Sequence, residues 1–234
     1  MMVNATEKTA QVSHMFARIV PTYDLVNRLM SAGQDQSWRR LAVALAAPPE
    51  HGRALDIATG TGDLAIALAE RAKRVVGVDF CAPMLVPAQE KIGRAGLKGE
   101  IALCQADALS LPFADESFDC VTVAFGVRNM VDLVAAFREM RRVVRPGGRV
   151  VCLEIMRPGT SLLGKGYQLY LTRVIPLLGG LISKDRAAYQ YLSASVMGFR
   201  NAAELQEIMQ AAQFSSVTYQ TLNFSTIALH LGVR

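Results

Sequence analysis

Two glycines and two carboxylates stand at the positions where a nucleotide-binding corner needs them. Asp56 lies near the end of an apolar stretch, Gly60 and Gly62 follow it, and Asp79 ends the next apolar stretch. Glycine lets the backbone turn tightly and approach a ligand closely, because it carries no Cβ. Free N–H groups at the start of the following helix then face the ligand, and they favour an anionic group. This spacing predicts a site for a nucleotide cofactor.

Two kinds of cofactor suit this corner. The run Gly60-x-Gly62-x-x-Ala65 fits the dinucleotide fingerprint, and Asp79 follows about 20 residues on, as that fingerprint expects. Asp56 favours S-adenosylmethionine (SAM) instead, because its carboxylate can accept a hydrogen bond from the methionyl ammonium and would repel a pyrophosphate. Asp79 is placed to bind both ribose hydroxyls of either cofactor. We predict SAM and keep a dinucleotide as the alternative.

Further polar residues follow the later apolar stretches. Asp107 is placed to accept a hydrogen bond from an exocyclic amine such as that of adenine, and the Ala108 N–H is available to a ring nitrogen. The alternative role for Asp107 is to cap a turn. Arg128 and Asn129 are expected at the mouth of the same cleft, and a surface salt bridge is the alternative role for Arg128. Glu154 lies within an apolar stretch, so it must either meet a cation or face the cleft.

The elements that position these residues alternate between strand and helix. Apolar stretches predict strands over 53–58, 74–79, 100–104, 118–125 and 149–156, with helices over 64–72, 83–95 and 132–145. Short apolar strands separated by helices indicate an α/β fold with a mostly parallel sheet covered on both faces. Two further segments, 216–223 and 226–232, alternate as a closing antiparallel pair, which gives seven strands. His230 in the last strand is expected to be packed rather than catalytic.

The amino-terminal segment, residues 1–47, predicts helices rather than strands. Its helices are expected over 12–19, 23–30 and 36–46, and Pro21 breaks the first from the second. Tyr23, Asp24 and Asn27 place a phenol, a carboxylate and an amide within about one turn of an otherwise apolar segment. Buried polar groups need partners, so this cluster favours a lid over a polar ligand above plain packing.

A second helical segment, residues 158–198, interrupts the alternation before the last two strands. It is rich in leucine and isoleucine and is edged by Lys165, Arg173, Lys184 and Arg186. A core helix is the default interpretation. The pattern also suits a helix that docks at a lipid interface or lines an apolar substrate channel. We predict a single domain over 1–234 with an amino-terminal lid and this apolar cap.

The composition sets limits on the class of protein. A chain of 234 residues with 51% hydrophobic content is long enough for one sizeable core. Its four cysteines show no C-x-x-C spacing, so we expect neither a disulfide framework nor a metal site. A net charge of +5 suits binding to an anionic surface. The sequence has no basic tract interleaved with aromatic residues, so we do not expect it to bind nucleic acid. With no secretory signal and no spanning apolar run, we expect a cytoplasmic protein, peripheral on the inner face of the cell membrane.

With these residues in view, the chain resembles class I SAM-dependent methyltransferases and, more narrowly, the ubiquinone/menaquinone C-methyltransferase family. The glycine corner is typical of SAM enzymes in general. The family-specific parts are Tyr23-Asp24-x-x-Asn27-x-Leu29-Met30-Ser31 with Trp38, and Phe125-Gly126-x-Arg128-Asn129. The resemblance runs roughly from Val12 to Gly232. The chain differs from the family pattern at Asp35, Ala124 and Met156.

This resemblance implies a Rossmann-like fold and an activity. It implies that Thr61, Asp79, Asp107 and Ala108 contact SAM, and that the enzyme methylates a ring carbon of a prenylated quinol, with demethylmenaquinol the leading substrate. The methoxy-benzoquinol precursor of ubiquinone and other lipid phenols are alternative substrates. A non-catalytic subunit that binds SAM or a quinone, and an NAD oxidoreductase, are alternatives of another class. The partners expected are the quinol and a membrane surface, and a homo-oligomer is compatible with the sequence.

Methylation of a ring carbon needs a carbon nucleophile, which a quinol provides once a phenol loses its proton. The enzyme must hold that carbon about 3–3.5 Å from the methyl group and in line with it. No histidine in the cleft motifs is an obvious base. We therefore expect a water held by Arg128, Asn129 and either Asp24 or Tyr23 to take the proton, with Arg128 stabilising the phenolate. The insert 160–186, including Leu169 and Leu177, is expected to hold the prenyl tail.

Overall fold

The structure is a computed structural model that describes the backbone of residues 5–234 and the side chains of residues 10–234. Residues 1–4 of the predicted lid lie outside the described residues. The strands are β1 Arg53–Ile57, β2 Arg74–Asp79, β3 Ile101–Gln105, β4 Phe118–Ala124, β5 Val144–Ile155, β6 Ser216–Leu222 and β7 Ile227–Val233. Within residues 5–234 the α-helices are α1 Ala5–Ile19, α2 Tyr23–Met30, α3 Asp35–Ala46, α4 Asp63–Ala69, α5 Ala82–Arg94, α6 Leu133–Val143, α7 Leu162–Leu169, α8 Ile175–Ser183, α9 Arg186–Met197 and α10 Ala202–Ala211.

The strands form one sheet in the order β3-β2-β1-β4-β5-β7-β6. Strands β1 to β5 are parallel, whereas β7 runs antiparallel to both β5 and β6. The prediction of a mostly parallel seven-stranded sheet that ends in an antiparallel pair is confirmed. The strand order reverses between β1 and β4, and in open α/β sheets ligands bind beside such a switch point, at the carboxyl ends of the strands. The loops that follow β1 and β4 therefore lie side by side.

Helices cover both faces of the sheet, since its inner strands are apolar on both sides. On one face, Phe137 and Met140 of α6 pack with Leu205 and Met209 of α10. The opposite face is covered by α3, α4 and α5, whose buried side chains include Trp38, Leu64, Leu68 and Ile92. Helix α3 was predicted as part of the lid, but it packs directly on the sheet.

One strand boundary departs from the prediction by several residues. A strand was predicted over 149–156, after the residues Pro146-Gly147-Gly148 that are typical of a turn, whereas β5 begins at Val144. The reason is a long-range pairing. Val144 pairs with Phe118 at the start of β4, the register then shifts, and Arg149 pairs with Cys120. A local turn signal cannot reveal this irregular pairing, because the partner strand lies elsewhere in the sequence.

The helices α1 and α2 and the segment from α7 to α9 form a third apolar cluster beyond the end of the sheet. Met15, Ile19 and Val26 from the amino-terminal helices pack there against Leu171 and Ile175. A π-helical stretch, Tyr170–Val174, joins α7 to α8. π-Helical insertions of this kind are frequent at functional sites. Among the helices of residues 5–234, none combines the length and the apolar character that a membrane crossing requires.

Candidate active site

The loops that follow β1, β2, β3 and β4 enclose a cavity with an empty volume of about 880 Å³, which we call the strand-end cavity. Besides Tyr23 of the amino-terminal segment, five of the predicted site residues line it. They are Gly60, Asp79, Asp107, Ala108 and Asn129. These residues follow four different strands, and the parallel sheet brings them together because the carboxyl ends of its strands share one edge.

Asp79 fixes the glycine corner that lines this cavity. Its Oδ2 accepts a hydrogen bond from the Gly60 N–H at 2.8 Å, and its Oδ1 accepts one from the Cys81 N–H at 2.8 Å. Burial raises the pKa of the Asp79 carboxyl, while the two N–H donors oppose that rise. Each carboxylate oxygen can accept a second hydrogen bond. The carboxylate therefore keeps capacity for two hydroxyl donors of a ligand.

The two glycines of the corner do different things. Gly60 has a φ of +55° and lines the cavity, so its backbone is open to a ligand. Gly62 has a φ of +85°, and a Cβ placed on it would lie 3.3 Å from the Cβ of Ala88. Gly62 thus allows the chain to enter α4 while α5 packs closely against it. Of the two, Gly60 faces the cavity and Gly62 shapes the turn.

Asp107 and Ala108 line the strand-end cavity from the loop after β3. The Oδ1 of Asp107 accepts a hydrogen bond from the Leu109 N–H at 2.9 Å, so the turn-cap role that the sequence allowed is present. Asp107 lines the cavity as well, together with the apolar side chains of Phe80 and Met84. Apolar walls beside a polar edge are what a flat heterocycle requires.

Asp56 lies beside the strand-end cavity, in a smaller recess of about 330 Å³ that we call the small cavity. Its carboxylate is buried and accepts hydrogen bonds from the hydroxyls of Thr59, at 2.7 Å, and Thr122, at 2.9 Å. Among the described side chains, no cation lies within salt-bridge distance of it. Burial raises the pKa of Asp56 to about 7, against the effect of the two hydroxyls. A buried carboxylate without a cationic partner suits an ammonium ligand.

Together these groups fit SAM better than a dinucleotide. Three carboxylates offer acceptors for its polar groups: Asp107 for the exocyclic amine, Asp79 for the ribose hydroxyls and Asp56 for the ammonium. A dinucleotide would bring its pyrophosphate to a corner that holds the carboxylates of Asp56 and Asp79, which repel it. The residues present therefore fit SAM.

A second large cavity, with an empty volume of about 910 Å³, lies between the sheet and the helices of the third cluster, and we call it the helical cavity. Five of the six tyrosines of the chain line it: Tyr23, Tyr167, Tyr170, Tyr189 and Tyr191. Burial raises the pKa of each of these phenols, in the case of Tyr167 to about 12. The phenols stay protonated at neutral pH, so most of the cavity wall is apolar with neutral hydroxyl groups. The charged residues among the described lining are Asp35, Arg39 and Arg128.

The two large cavities meet at three aromatic side chains. Phe16, Tyr23 and Phe125 line both of them, and Tyr23 and Phe125 also line the small cavity. Phe125 has a φ of +58°, a conformation that is strained for a side chain of this size and is often found at functional sites. A group that moves from one ligand to the other must pass at this junction.

Arg128 and Asn129 lie on opposite sides of the junction although they are neighbours in sequence. Arg128 lines the helical cavity, whereas Asn129 lines the strand-end cavity. The Oδ1 of Asn129 accepts a hydrogen bond from the hydroxyl of Tyr191 at 3.1 Å. A short 3₁₀ turn, Val127–Asn129, gives the two side chains their different directions.

The guanidinium of Arg128 is held by Glu154. Its Nη1 donates to Glu154 Oε1 at 2.8 Å and to the carbonyl of Phe125, and the Arg128 N–H donates to Glu154 Oε2 at 3.2 Å. The side chains of Arg128 and Glu154 are 6% and 0% exposed, so the pair is buried. The surface salt bridge considered for Arg128 is therefore wrong. Of the two alternatives predicted for Glu154, the structure shows the pairing with a cation.

Asp24 stands apart from Tyr23, Arg128 and Asn129. Its carboxylate pairs with Lys91 Nζ at 2.7 Å and accepts a hydrogen bond from the Thr61 hydroxyl at 2.6 Å. It is not among the described residues that line the three cavities, whereas Thr61 lines the small cavity. Asp24 thus ties α2 to the glycine corner. Sequence reasoning missed Lys91, because no local pattern marks a partner that lies 67 residues away along the chain.

We expect Asp24→Asn to lower kcat by less than about tenfold. Asp24 is 39% exposed, and ion pairs of this kind contribute about 1 kcal/mol or less to stability. Steady-state kinetics at saturating SAM measures the effect. The matched control is Asp185→Asn, which removes the Arg18–Asp185 ion pair between α1 and α9. A loss of about 100-fold for Asp24→Asn alone would instead place this carboxylate in the chemistry.

Solved structures share the fold at low sequence identity. An SAM-dependent methyltransferase of Thermotoga maritima superimposes with a TM-score of 0.68 at 21% identity, covering 94% of this chain and 98% of that one. The [4+2]-cyclase SpnF gives a TM-score of 0.70 at 19% identity, with 93% and 77% covered. The fold is that of class I SAM-dependent methyltransferases, and the second protein illustrates that this fold alone does not define a reaction.

Sequence relatives are more informative about the family. The chain is 50% identical to a demethylmenaquinone methyltransferase of Thermus thermophilus, with 94% of this chain and 100% of that one covered. It is 39% identical to a ubiquinone/menaquinone biosynthesis C-methyltransferase UbiE of Geobacter sulfurreducens, with 99% and 91% covered. The sequence model of the ubiE/COQ5 methyltransferase family matches residues 2–234. With the SAM-compatible cavities described above, these matches establish that the chain is an SAM-dependent methyltransferase that belongs to the ubiE/COQ5 methyltransferase family.

Proposed function

We propose that this enzyme methylates a ring carbon of a prenylated quinol, and that its substrate is demethylmenaquinol. The observation that carries the proposal is the junction at Tyr23, where a cavity suited to SAM meets an apolar, tyrosine-lined cavity of about 910 Å³. Relatives at 45% to 50% identity named demethylmenaquinone methyltransferase support the naphthoquinol. The relatives at 39% identity carry the names of both quinone pathways, so the methoxy-benzoquinol precursor of ubiquinone is the second candidate.

In this proposal the cofactor contacts come from the loops after β1, β2 and β3. Asp56 accepts from the ammonium, Asp79 accepts from the ribose hydroxyls, and Asp107 with Ala108 contacts the adenine. Gly60 and Gly62 give the turn its shape, and Thr61 contributes its backbone, because its hydroxyl donates to Asp24. These assignments keep every residue predicted from the sequence for the cofactor.

The chemistry is assigned to residues at the junction. Bound SAM supplies an electrophilic methyl group. A phenol of the quinol in the helical cavity gives its proton to a water, the buried cation of Arg128 stabilises the phenolate that results, and the negative charge moves to the ortho carbon. That carbon forms the new C–C bond as the methyl–sulfur bond breaks, and the ring proton then leaves to water. Tyr23 and Asn129 hold that water together with Arg128, while Asp24 anchors α2.

The lid and the cap act as the walls of the quinol site. We assign α1 and α2, together with residues 158–198, to the cover over the helical cavity within one domain. Tyr170, Leu171 and Ile175 line that cavity from the insert, which suits a prenyl tail. Leu169 and Leu177 were predicted to hold the tail, but they are 60% and 56% exposed and lie outside the lining. The tail contacts therefore come from the inner face of the insert.

The outer face of the same helices supports a peripheral position on the membrane. Helices α2 and α8 contact each other, and both expose leucine side chains: Leu25 and Leu29 on α2, and Leu177 and Leu181 on α8. Basic residues lie near these leucines in sequence, including Arg28, Arg173 and Lys184. Exposed aliphatics with basic neighbours bind anionic lipid surfaces. We propose that this face docks on the inner leaflet and that the quinol enters from there.

The variant Leu177→Asp is expected to weaken binding to vesicles of anionic phospholipid by about tenfold. Its KM for a long-tailed quinol in vesicles rises accordingly, whereas the KM for a short-tailed, water-soluble quinol stays within about twofold. Vesicle co-sedimentation and kinetics with both substrates measure the two effects. The matched control is Val86→Asp, at a residue that is 61% exposed on α5. Equal KM changes for both substrates would contradict the docking surface.

The test of the proposed function is transfer of labelled methyl from SAM under reducing conditions. Demethylmenaquinol and the methoxy-benzoquinol precursor of ubiquinone are supplied in parallel. Label in the naphthoquinol product at a higher kcat/KM supports the leading proposal, and the reverse ratio assigns the enzyme to the benzoquinol. Label in neither product, with SAM binding intact, overturns the quinol assignment and points to another lipid phenol or to a binding role.

A further inference from the structure

Arg39 is a nearly buried cation that no assignment above uses. It lies on α3, one residue after Trp38, and its side chain is 11% exposed. It lines both the helical cavity and the small cavity. Its guanidinium carbon lies 5.5 Å from the centre of the Phe125 ring, at the junction of the cavities. The residue therefore faces the same recess as Asp56.

The carboxylates around Arg39 already have other cations. Asp35 pairs with Arg39 Nη1, but it also pairs with Arg28 at 3.3 Å. Asp63 is 4.0 Å from Arg39 Nη2 and pairs at 2.6 Å with Lys91. Among the described residues, Nη2 of Arg39 has no hydrogen-bond acceptor. One side of the guanidinium fork is thus available to a ligand.

The small cavity consequently presents charges of both signs. Of the described residues that line it, Arg39 is the cation, and Asp56 is the carboxylate without a cationic partner. The amino-acid end of SAM carries an ammonium and a carboxylate on a single carbon. If Asp56 accepts from the ammonium, the group that binds the carboxylate must line the same small cavity.

We propose that Arg39 binds the carboxylate of the amino-acid end of SAM. Its guanidinium donates charge-assisted hydrogen bonds to the carboxylate oxygens from the Nη2 side, while Nη1 stays on Asp35. The guanidinium packs over the face of the Phe125 ring, which adds a cation–π contact. This inference rests on SAM as the cofactor and is independent of which quinol the enzyme methylates.

Binding measurements separate this role from a purely structural one. The probes are S-adenosylhomocysteine and its decarboxylated analogue, titrated by calorimetry into wild-type protein and the Arg39→Gln variant. Arg39→Gln is expected to bind S-adenosylhomocysteine about 10- to 100-fold more weakly, which is the range of a charge-assisted hydrogen bond. Its affinity for the decarboxylated analogue is expected to stay within about threefold of wild type. Arg40→Gln, at the exposed neighbouring residue, is the matched control and is expected to bind both probes normally.

Each outcome of this experiment decides the matter. Equal weakening of both probes by Arg39→Gln assigns Arg39 to structure alone and overturns the proposal, as does normal binding of both. If Arg39→Gln does not fold, Arg39→Lys keeps the charge beside Asp35 but loses the fork, and it is expected to weaken S-adenosylhomocysteine selectively. Wild-type protein that binds the two probes equally also overturns the proposal. None of these results depends on methyl transfer, so failure of the proposed quinol substrate is recognised separately.

Discussion

The double variant Arg128→Met/Glu154→Gln is expected to fold, to bind SAM within about threefold of wild type, and to lose about 100-fold or more in kcat. The loss follows from removing the buried cation that faces the quinol, since a preorganised charge at a developing anion typically contributes a factor of this size. SAM binding is retained because Arg128 lines the helical cavity and is not among the residues that line the strand-end cavity. Single-turnover methyl transfer and SAM titration measure the two quantities.

The second substitution is needed because the ion pair is buried. Removal of Arg128 alone leaves Glu154, which is 0% exposed, without its cation. Breaking a buried pair in this way typically destabilises a protein by about 3–5 kcal/mol. Arg128→Met by itself is therefore expected to unfold at a lower denaturant concentration than wild type. Adding Glu154→Gln is expected to restore most of the lost stability. Arg138→Met, at an exposed arginine of α6, is the control. Full turnover by the folded double variant would remove Arg128 from the mechanism.

The variant Asp56→Asn is expected to weaken SAM binding by about 10- to 100-fold while it stabilises the ligand-free protein above pH 7. The affinity falls because the carboxylate that accepts from the ammonium becomes a neutral amide. Stability rises because the charge of Asp56 is buried and its carboxylate accepts only hydroxyl hydrogen bonds. Calorimetric titration of SAM and urea unfolding of the ligand-free protein measure the two opposite effects.

The pH dependence of this difference has a definite sign. Burial raises the pKa of Asp56 from 3.8 to about 7 in the folded state. Well below pH 4 the Asp56 carboxyl is protonated in both the folded and the unfolded state, so it does not change the free energy of unfolding. Between pH 4 and 7 the unfolded state loses the proton while the folded state keeps it, so wild-type stability falls as pH rises. The difference between Asp56→Asn and wild type is expected to grow over this range to at most on the order of 4 kcal/mol.

Binding of SAM acts on the same proton. The ammonium of the ligand favours the charged form of Asp56, so binding near pH 7 releases a proton, and the affinity of wild type rises with pH through this region. Asp56→Asn is expected to lack this dependence. A flat affinity between pH 6 and 8 in wild type would show that Asp56 is already ionised in the ligand-free protein, contrary to the raised pKa.

The sequence by itself determined the parts of this protein that depend on local backbone and on periodicity. Glycine is favoured where the chain turns at positive φ, so the corner at Gly60 and Gly62 was predictable. Alternating apolar stretches define a covered parallel sheet, and such a sheet has its ligand edge at the carboxyl ends of its strands. This is why Asp79, Asp107, Ala108 and Asn129, which follow different strands, were correctly predicted to share one cleft.

Only the tertiary structure decided which neighbour of a pair faces the ligand. Successive residues on a helix point about 100° apart, so Tyr23 reaches the junction while Asp24 turns to Lys91, and no sequence pattern distinguishes the two directions. The same holds for Leu171, which lines the helical cavity, and Leu169, which lies on the outer face. The Arg128–Glu154 pair needed long-range information too, because Arg128 follows β4 and Glu154 lies in β5, and these two strands meet only when the sheet has formed.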